Sequence, residues 1–213
     1  MLHFSVGHEE EAQELVLKYH YSGRCPGNVR VVGILHEEGG LFGDRGRPIA
    51  ACFFSSPPTR WSEEVLELSR LVRTDDTKPA LTSLIGKTCD FIRQRKICDL
   101  LVSFADATHG HHGGVYQAAS WNYGGQRNRA MDGVLMDGIF VPGRSAVARF
   151  GTRSPEKLTA KMGKEHKIEP HFDEGKHIYW RSLDKRGTAK AVRLDLKKLP
   201  YPKPAPIVCA ANS

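Results

Sequence analysis

The sequence predicts an α/β fold in which a central mixed β-sheet is flanked by helices and followed by a basic C-terminal extension. Runs rich in β-branched and apolar residues alternate along the chain with segments of helical periodicity. The nearly all-apolar run Leu100–Ala105 follows a predicted helix, as a buried parallel strand does in a βαβ unit. With 213 residues, 40% of them hydrophobic, the chain is long enough to bury one sizeable core.

The elements of the first half are predicted from local patterns. Leu2–Val6 predicts a short strand. Glu9–Tyr19 predicts a helix, because acidic residues crowd its first turn and apolar residues share one face. Val29–Leu35 and Ile49–Phe54 flank a Gly-rich turn, which predicts a hairpin. Val65–Val72 alternates apolar with polar residues and is predicted to be a strand.

The second half begins with a clear pattern that weakens towards the end. A helix is predicted from Ala80 to Lys96, ahead of the strand Leu100–Ala105. A helix at Val115–Trp121 and a strand at Gly133–Val141 follow. Beyond residue 142 the pattern predicts a helix, a strand and a Lys- and Pro-rich tail: Glu156–Met162, His177–Ser182 and the residues from Lys197 onward.

Composition excludes several classes of protein. No apolar run approaches the ~20 residues that span a bilayer, and the N-terminal residues lack the charged and apolar regions of a signal peptide. The five cysteines are scattered without a Cys-x-x-Cys pair, which argues against a disulfide scaffold or a zinc ribbon. We therefore expect a cytoplasmic protein with no membrane partner.

Positive charge is concentrated late in the chain. Up to Gln126 there are 13 basic and 15 acidic residues, whereas the remainder has 18 basic and 9 acidic residues. A polyanion partner such as nucleic acid fits this distribution, and so does a solvated basic surface. We expect one domain over residues 1–185, in which residues 127–185 carry most nucleic-acid contacts, and a basic tail over residues 186–213.

Asp106 is a candidate for chemistry because it stands at the carboxyl end of the predicted strand Leu100–Ala105. Open α/β sheets bind their ligands at that end. The carboxylate fits three roles: a turn or capping residue, a base or orienting group, and a metal ligand. Since His109, His111 and His112 follow in a Gly-rich turn, a metal site that includes Asp106 and a plain loop both remain open.

The predicted order of elements resembles the GNAT superfamily of N-acetyltransferases. In that fold the fourth strand exposes its backbone to a pantetheine arm, and the N-terminus of the next helix holds the pyrophosphate. The matching segments here are Leu66–Arg73 and Leu81-Thr82-Ser83, although the glycine-containing phosphate loop is missing. The resemblance implies cofactor contacts at Leu71, Arg73, Thr82 and Ser83. Gly114–Gly124 is similar to a helix that carries a tyrosine general acid, which implies that role for Tyr116.

Within that superfamily, five segments are similar to the phage Mom proteins, which convert adenine to N6-carbamoylmethyladenine and protect phage DNA from restriction. They are His20-Tyr21-Ser22-Gly23, Leu68-Ser69-Arg70-Leu71, Ser83-Leu84-Ile85, Phe104-Ala105-Asp106 and the block from His111 to Tyr123. This resemblance implies catalytic roles for His20, Tyr21, Arg70, Ser83, Asp106 and Tyr116. It also implies a location in the cytoplasm of the host bacterium and, as proposed for the family, a requirement for iron.

Three of these residues have other interpretations as well. Arg70, on a central strand, needs a partner such as Asp106, a phosphate or another carboxylate. Ser83, at a helix N-terminus, fits a capping role. Tyr21 fits a packed ring, a stacking surface or a proton relay.

The resemblance implies a DNA-modifying enzyme acting on double-stranded DNA. Because N6 lies on the base-pairing edge, the adenine has to flip into a pocket, which we expect near Asp106 and Tyr116. The donor is either an activated glycine, such as glycyl-tRNA, which makes tRNA a second partner, or acetyl-CoA with iron. The sequence leaves the oligomeric state undecided, and a homodimer is one alternative. The predicted DNA contacts are Arg127, Arg129, Arg144, Arg149, Arg153, Lys157, Lys161 and Lys164.

Two other functions remain as alternatives. A GNAT-type acyltransferase acting on a small-molecule or protein amine predicts tight coenzyme A binding without DNA binding. A DNA-binding protein without catalysis predicts that the Asp106→Ala variant retains every phenotype.

Overall fold

The computed structural model describes residues 2–37, 46–57, 61, 64–75 and 80–202. Parts of three predicted segments fall outside these residues: the Gly-rich turn at 39–43, the end of the loop that precedes the predicted helix Ala80–Lys96, at 76–79, and the tail from residue 203. The chain divides into two compact units. The large unit contains Met1–Phe104, Gly113–Gly125 and Ile178–Ser213, and the small unit contains Ala105–His112 and Gln126–His177.

The described residues form ten strands and six α-helices, numbered here in chain order. The strands are β1 (Leu2–Val6), β2 (Val29–Glu37), β3 (Pro48–Ser55), β4 (Leu66–Arg73), β5 (Leu100–Asp106), β6 (Asn122–Gln126), β7 (Met131–Met136), β8 (Ile139–Pro142), β9 (Ile168–Phe172) and β10 (Lys176–Ser182). The helices are α1 (Glu9–Tyr19), α2 (Leu81–Gln94), α3 (Gly114–Ala118), α4 (Gly143–Phe150), α5 (Pro155–Met162) and α6 (Lys185–Arg193). Over the described ranges, no helix is long and apolar enough to cross a membrane.

A seven-stranded sheet in the order β1-β2-β3-β4-β5-β10-β6 forms the core. Strands β1 to β4 pair antiparallel, whereas β4 and β5 are parallel because α2 connects them. The helix α1 buries Ala12, Leu15 and Val16 against β2, β3 and β4. The helix α2 approaches β2 at Gly33, where an added Cβ would lie 2.1 Å from the Thr88 hydroxyl. The predicted mixed sheet with flanking helices is confirmed.

Strands β4 and β5 separate soon after they begin to pair. Their ladder contains only the pairs Leu66–Leu101 and Glu67–Val102. On its other side, β4 stays paired with β3 from Glu67 to Arg73. The sheet therefore opens along one edge of β4, and this opening positions the candidate site.

The small unit contains the antiparallel sheet β8-β7-β9, which packs on α4 and α5 around Val134, Ala146 and Leu158. The single strand predicted at Gly133–Val141 is wrong. Asp137 and Gly138 have φ values of 51° and 82°, the left-handed region that a two-residue hairpin turn requires. The segment is therefore a hairpin of β7 and β8.

Several other elements differ from the predictions. The helix predicted at Val115–Trp121 ends at Ala118, because Ser120 takes a φ of 59° and turns the chain into β6. The strands β6 and β9 and the helix α4 were not predicted. The helix α6, also not predicted, begins where the Asp184 carboxylate accepts a hydrogen bond of 2.9 Å from the Gly187 N–H. Beyond α6, the chain is bound to β6 by a hydrogen bond of 2.8 Å from the Leu199 N–H to the Tyr123 carbonyl.

The close approach of α6 to Asp99 gives a prediction for stability. In the Gly187→Ala variant the new Cβ would lie 1.9 Å from the Asp99 carbonyl oxygen, so we expect the free energy of unfolding to fall by about 1–3 kcal/mol. The matched control is Gly86→Ala in α2, where an added Cβ meets nothing within 4 Å. There the better helix propensity of alanine should raise the free energy of unfolding by about 0.5–1 kcal/mol. Urea unfolding measures both, and equal effects would contradict the packing described for α6.

Candidate functional site

Tyr116 is the buried residue at the centre of the candidate site. It lies in α3, is 9% exposed, and forms a hydrogen bond with the Ser103 hydroxyl on β5. Ser103 in turn donates to the Leu68 carbonyl on β4, at 2.8 Å. This chain of hydrogen bonds ties α3 to the place where β4 and β5 separate.

The surroundings of Tyr116 keep its phenol protonated. Burial raises the pKa of Tyr116 to about 12, and the nearby Tyr21, Glu67 and Tyr179 side chains act in the same direction. The Ser103 hydrogen bond opposes them without cancelling them. The phenol carries a proton at neutral pH, as an unperturbed tyrosine also does, and this is the proton that the predicted general acid delivers.

An aromatic cluster fixes the position of Tyr116. The ring centroids of Trp121 and Tyr179 lie 5.6 and 5.2 Å from its own. The Tyr179 hydroxyl accepts a hydrogen bond of 3.0 Å from Gln117 in α3. Gly113, with a φ of 79°, approaches Tyr179 so closely that an added Cβ would lie 2.2 Å from the ring. Glycine is therefore required directly before α3.

His20 and Tyr21 follow α1 and stack on each other, with ring centroids 4.4 Å apart. The Ser22 N–H donates to the His20 Nδ1 at 3.1 Å, so the proton of a neutral His20 lies on Nε2. Tyr21 is 60% exposed, yet its side chain lies close enough to Tyr116 to raise the pKa of that residue. The fold thus brings together Tyr21 and Tyr116, two predicted site residues that are distant in the sequence.

Arg70 and Ser83 have surroundings that differ from the expected ones. The Arg70 guanidinium donates to the carbonyl oxygens of Arg24, at 3.0 Å, and Ser69, at 2.6 Å. These two bonds leave further N–H donors for an anionic group of a substrate. Ser83 is the third residue of α2 and is exposed, while Ala80 occupies the N-cap, so Ser83 is not the capping residue.

The backbone of β4 and α2 fits an acyl-CoA. Over residues 68–73, β4 has no ladder partner in β5, so main-chain groups near Leu71 and Arg73 are available to a pantetheine arm. The first turn of α2, which contains Thr82 and Ser83, has no acidic residue, and Ala80 offers no side-chain cap. The Ser83 N–H donates to the Ala80 carbonyl at 3.1 Å, so the N–H groups of Leu81 and Thr82 are the ones that could bind phosphate here. Residues 76–79, directly before this helix, lie outside the described part of the chain.

Asp106 is described within the small unit. Its carboxylate pairs with the Lys176 ammonium at 3.3 Å and accepts a hydrogen bond of 3.1 Å from the Thr108 N–H. Partial burial raises the pKa of Asp106, but Lys176 and the bonds from Thr108 outweigh burial and hold this pKa below its ordinary value. The carboxylate is therefore ionised at neutral pH, and it is able to orient an amine or accept a proton.

The structure gives the predicted metal site no support. In the described ranges, no group of three or more His, Cys, Asp or Glu side chains is arranged to hold a metal ion. Burial lowers the pKa of His177, and the neighbouring His112 lowers it further. His111 donates its main-chain N–H to the Asp106 carbonyl at 3.2 Å, and the side chain of His109 lies outside what the structure describes.

Sequence reasoning missed three residues of the site. Ser103 had a signal, because a polar residue inside the apolar run of β5 needs a hydrogen-bond partner. Glu67 had none, since it occupies an ordinary polar position of an alternating strand. Lys176 had none either, because only the fold brings it into its ion pair with Asp106 and no local sequence pattern connects the two residues.

The predicted DNA contacts fall into two groups. Arg127 pairs with the buried Asp173, and Arg129 pairs with Glu174 at 3.4 Å. Lys161 donates a hydrogen bond of 2.7 Å to a main-chain carbonyl at the end of α4. The charged groups of the other five are exposed and make no ion pair or hydrogen bond with any described residue: Arg144, Arg149, Arg153, Lys157 and Lys164.

Comparison with known proteins relates this chain to one family and one fold. The profile of the Mom protein family matches residues 2–203. No curated protein sequence matches the chain. The acetyltransferase yncA of Salmonella typhimurium, solved with its cofactor acetyl-CoA, has a TM-score of 0.51 at 10% identity, over 87% of this chain and 95% of that chain.

Two further solved structures have similar coverage. An N-acetyltransferase of Staphylococcus aureus Mu50 has a TM-score of 0.46 at 12% identity, over 86% of this chain and 98% of that chain. The ribosomal-protein-S18-alanine N-acetyltransferase of Escherichia coli has a TM-score of 0.49 at 10% identity, over 86% and 95%. At such identities a structural match shows the fold alone, and the match to the Salmonella acetyltransferase, with its TM-score of 0.51, confirms the predicted GNAT-like fold.

The ion pair of Asp106 gives a prediction for its titration. The Lys176→Met variant removes the ammonium that lowers the pKa of Asp106, so this pKa should rise. In the native protein, the depressed pKa contributes stability that is present above the ordinary value of 3.8 and is lost as the pH falls through the folded-state pKa. The variant should therefore lose less stability than the native protein as the pH falls through this range.

Carbon NMR of the labelled aspartate carboxyl groups measures the titration directly. The matched control is Lys167→Met, which removes a lysine that pairs with Glu169 at 3.1 Å and should leave Asp106 unchanged. If Asp106 titrates identically in the native protein and in Lys176→Met, the assigned ion pair is wrong.

Proposed function

The chain belongs to the Mom protein family, and we propose that it converts adenine in double-stranded DNA to N6-carbamoylmethyladenine, which protects phage DNA from restriction. The observation that carries this proposal is the position of Tyr116, whose buried side chain hydrogen-bonds Ser103 at the opening between β4 and β5. In the GNAT fold the acyl donor runs along the strand that corresponds to β4. An activated acyl group in that position would lie beside an acid able to protonate its leaving group.

The donor we propose is an activated glycine, namely glycyl-tRNA. A carbamoylmethyl group attaches to N6 through CH2 and carries its amide outside, whereas acetyl transfer would attach a carbonyl to N6. N6-glycyladenine and N6-carbamoylmethyladenine are isomers, so a glycyl group supplies every atom that is needed. Acetyl-CoA lacks the nitrogen, and as the alternative donor it would require iron and a separate nitrogen source.

The proposed reaction has two steps. In the first, N6 attacks the glycyl carbonyl carbon, the ester bond to the tRNA breaks, N6 loses a proton, and the departing oxygen gains one. In the second, the glycyl amine attacks C6 to close a five-membered ring, and the bond between C6 and the original N6 breaks. The glycine nitrogen stays on C6, and the original nitrogen becomes the terminal amide after a proton moves to it. Neither step needs an oxidant or a reductant.

Five side chains receive roles in this scheme. Tyr116 protonates the departing oxygen, and Glu67, which is close enough to raise the pKa of Tyr116, accepts the proton of N6. The exposed ring of Tyr21 stacks on the adenine. Arg70 uses its remaining N–H donors on an anionic group of the substrate. Asp106, in the small unit, keeps the role that the family resemblance implies, and its carboxylate pairs with Lys176.

The adenine has to leave the duplex stack before either step, at a cost of a few kcal/mol. Contacts to the DNA backbone offset this cost. Residues 143–167 contain seven basic and two acidic residues, and they include the five cations without an ion pair. These cations are available to phosphate groups without the loss of an existing ion pair, which supports this part of the chain as the DNA-binding surface.

Nucleoside mass spectrometry on DNA from cells that express the protein tests the proposed function. Native protein should produce carbamoylmethylated adenine, and the Tyr116→Phe and Asp106→Ala variants should reduce it by at least about a hundredfold while keeping DNA affinity. The matched control is Tyr123→Phe, which removes a hydroxyl from the same aromatic cluster. Unmodified adenine with native protein would rule out the proposed function.

Two further results separate the alternatives. Tight acetyl-CoA binding by a protein that does not bind DNA would favour an acyltransferase acting on a small-molecule or protein amine. Retention of every phenotype by Asp106→Ala would favour a DNA-binding protein without catalysis. Cells grown on glycine labelled with heavy carbon and nitrogen test the donor, and modified adenine without a mass shift would favour acetyl-CoA.

The salt dependence of DNA binding tests the assignment of the unpaired cations. A variant with Arg144→Gln, Arg149→Gln and Arg153→Gln should lower the slope of log affinity against log salt by about 0.9 for each phosphate that the protein no longer neutralises, and so by about 2–3 in total. The control variant, with Lys18→Gln, Lys87→Gln and Arg95→Gln, removes the same charge from exposed positions of the large unit. The same slope change in both variants would show that only net charge matters.

A further inference from the structure

The β7–β8 hairpin of the small unit presents an exposed apolar side chain at its tip. Ile139 directly follows the turn and is 71% exposed, the largest value among the described bulky hydrophobic residues of this unit. The next residue, Phe140, is 43% exposed, but its ring rests on His171 with centroids 4.5 Å apart. Ile139 is therefore the side chain of this strand that is most available to a partner.

The tip is held rigidly. The Asp137 carboxylate bonds the His166 Nδ1 at 2.7 Å and accepts from the Lys167 N–H at 2.9 Å. The Asp137 N–H donates to the Lys167 carbonyl at 2.9 Å. Gly138 completes the turn. The backbone before Ile139 is therefore held by hydrogen bonds of both the Asp137 carboxylate and the Asp137 N–H. An exposed isoleucine on such a support can enter a narrow space without first becoming ordered.

Charge indicates what this tip meets. The segment that fastens the turn carries Lys164 and Lys167, and Lys164 belongs to the unpaired cations defined above. The helix α4, which carries Arg144 and Arg149, begins directly after β8. Unpaired cations in the segments that adjoin an apolar tip are complementary to a nucleic acid, whose phosphates surround an apolar stack of bases. Proteins that deform duplex DNA insert apolar side chains between base steps in this way.

We propose that the β7–β8 hairpin is a wedge for double-stranded DNA, in which Ile139 enters the base stack. This inference rests on the proposed function, in which adenine leaves the duplex. Ile139 stabilises the open duplex by replacing the stacking interactions of the missing base.

Fluorescence of 2-aminopurine tests this role without the donor. The base replaces one adenine in a pool of duplexes with varied flanking sequence, and its emission rises when it leaves the stack. Native protein should raise the emission, and the Ile139→Ala variant should reduce this rise by at least about threefold. Ile139→Phe, which keeps a bulky apolar wedge, should retain the rise. The matched control is Val192→Ala in α6 of the large unit, an aliphatic residue that is 75% exposed.

A second duplex separates a wedge from a general binding residue. When 2-aminopurine lies opposite an abasic site, less stacking has to be broken, so native protein and Ile139→Ala should bind with equal affinity. On the fully paired duplex the variant should bind more weakly. An equal rise of emission in native protein and Ile139→Ala overturns the proposal, and so does an equal loss of affinity on both duplexes.

Two other outcomes would also overturn the wedge. If Ile139→Ala converts a dimer of the native protein into a monomer and leaves the emission unchanged, the tip is a contact between two copies of the chain. If native protein modifies adenine in cells while Ile139→Ala modifies it equally well, the proposed function stands and the wedge fails. Absence of modified adenine in cells that express native protein would instead refute the proposed function. If native protein also fails to raise the 2-aminopurine emission, the wedge is overturned as well.

Discussion

The separation of β4 from β5 is the constraint on which the candidate site depends. Two parallel strands that stayed paired would satisfy each other's main-chain groups, whereas this ladder ends at Glu67 and Val102. Beyond that point the Ser103 hydroxyl donates to the Leu68 carbonyl in place of a backbone N–H, and Ser103 also hydrogen-bonds Tyr116. The opening therefore creates both the exposed backbone that fits an acyl donor and the buried position that keeps the Tyr116 phenol protonated.

The basic residues fall into two groups, those that form ion pairs with carboxylates and those that do not, and this division is clearer than their position in the sequence. In α6, Arg186 and Lys190 pair with Asp99 at 3.0 and 3.3 Å, and Arg193 pairs with Glu64, so these cations fasten the helix to the large unit. In α4 and after it, five cations have no such partner among the described residues. A net charge counts both groups alike, but only the second can gain a phosphate without losing a carboxylate.

Sequence patterns predicted the elements whose signal is local. The strands and helices from β1 to β5 follow from apolar periodicity and glycine turns, and their order indicated the fold class. The hairpin of β7 and β8 carries a local signal that the single-strand prediction overlooks, because Asp137-Gly138 is a dipeptide typical of a two-residue hairpin turn. Tyr116 and Tyr21 were identified through resemblance, whereas Glu67 and Lys176 become visible only when strands distant in sequence are placed side by side. Such pairings depend on strand register, which single-sequence patterns do not encode.

The central claim is that the flipped adenine is bound at the opening between β4 and β5. Photocrosslinking tests it most directly: duplex DNA carrying 8-azidoadenine in place of adenine is irradiated with the protein, and the crosslinked peptides are identified by mass spectrometry. The account predicts crosslinks within residues 20–21, 66–73 or 114–123, which surround Tyr116 in the large unit. Crosslinks confined to residues 143–167 would mean that the base stays on the basic surface, and would contradict the account.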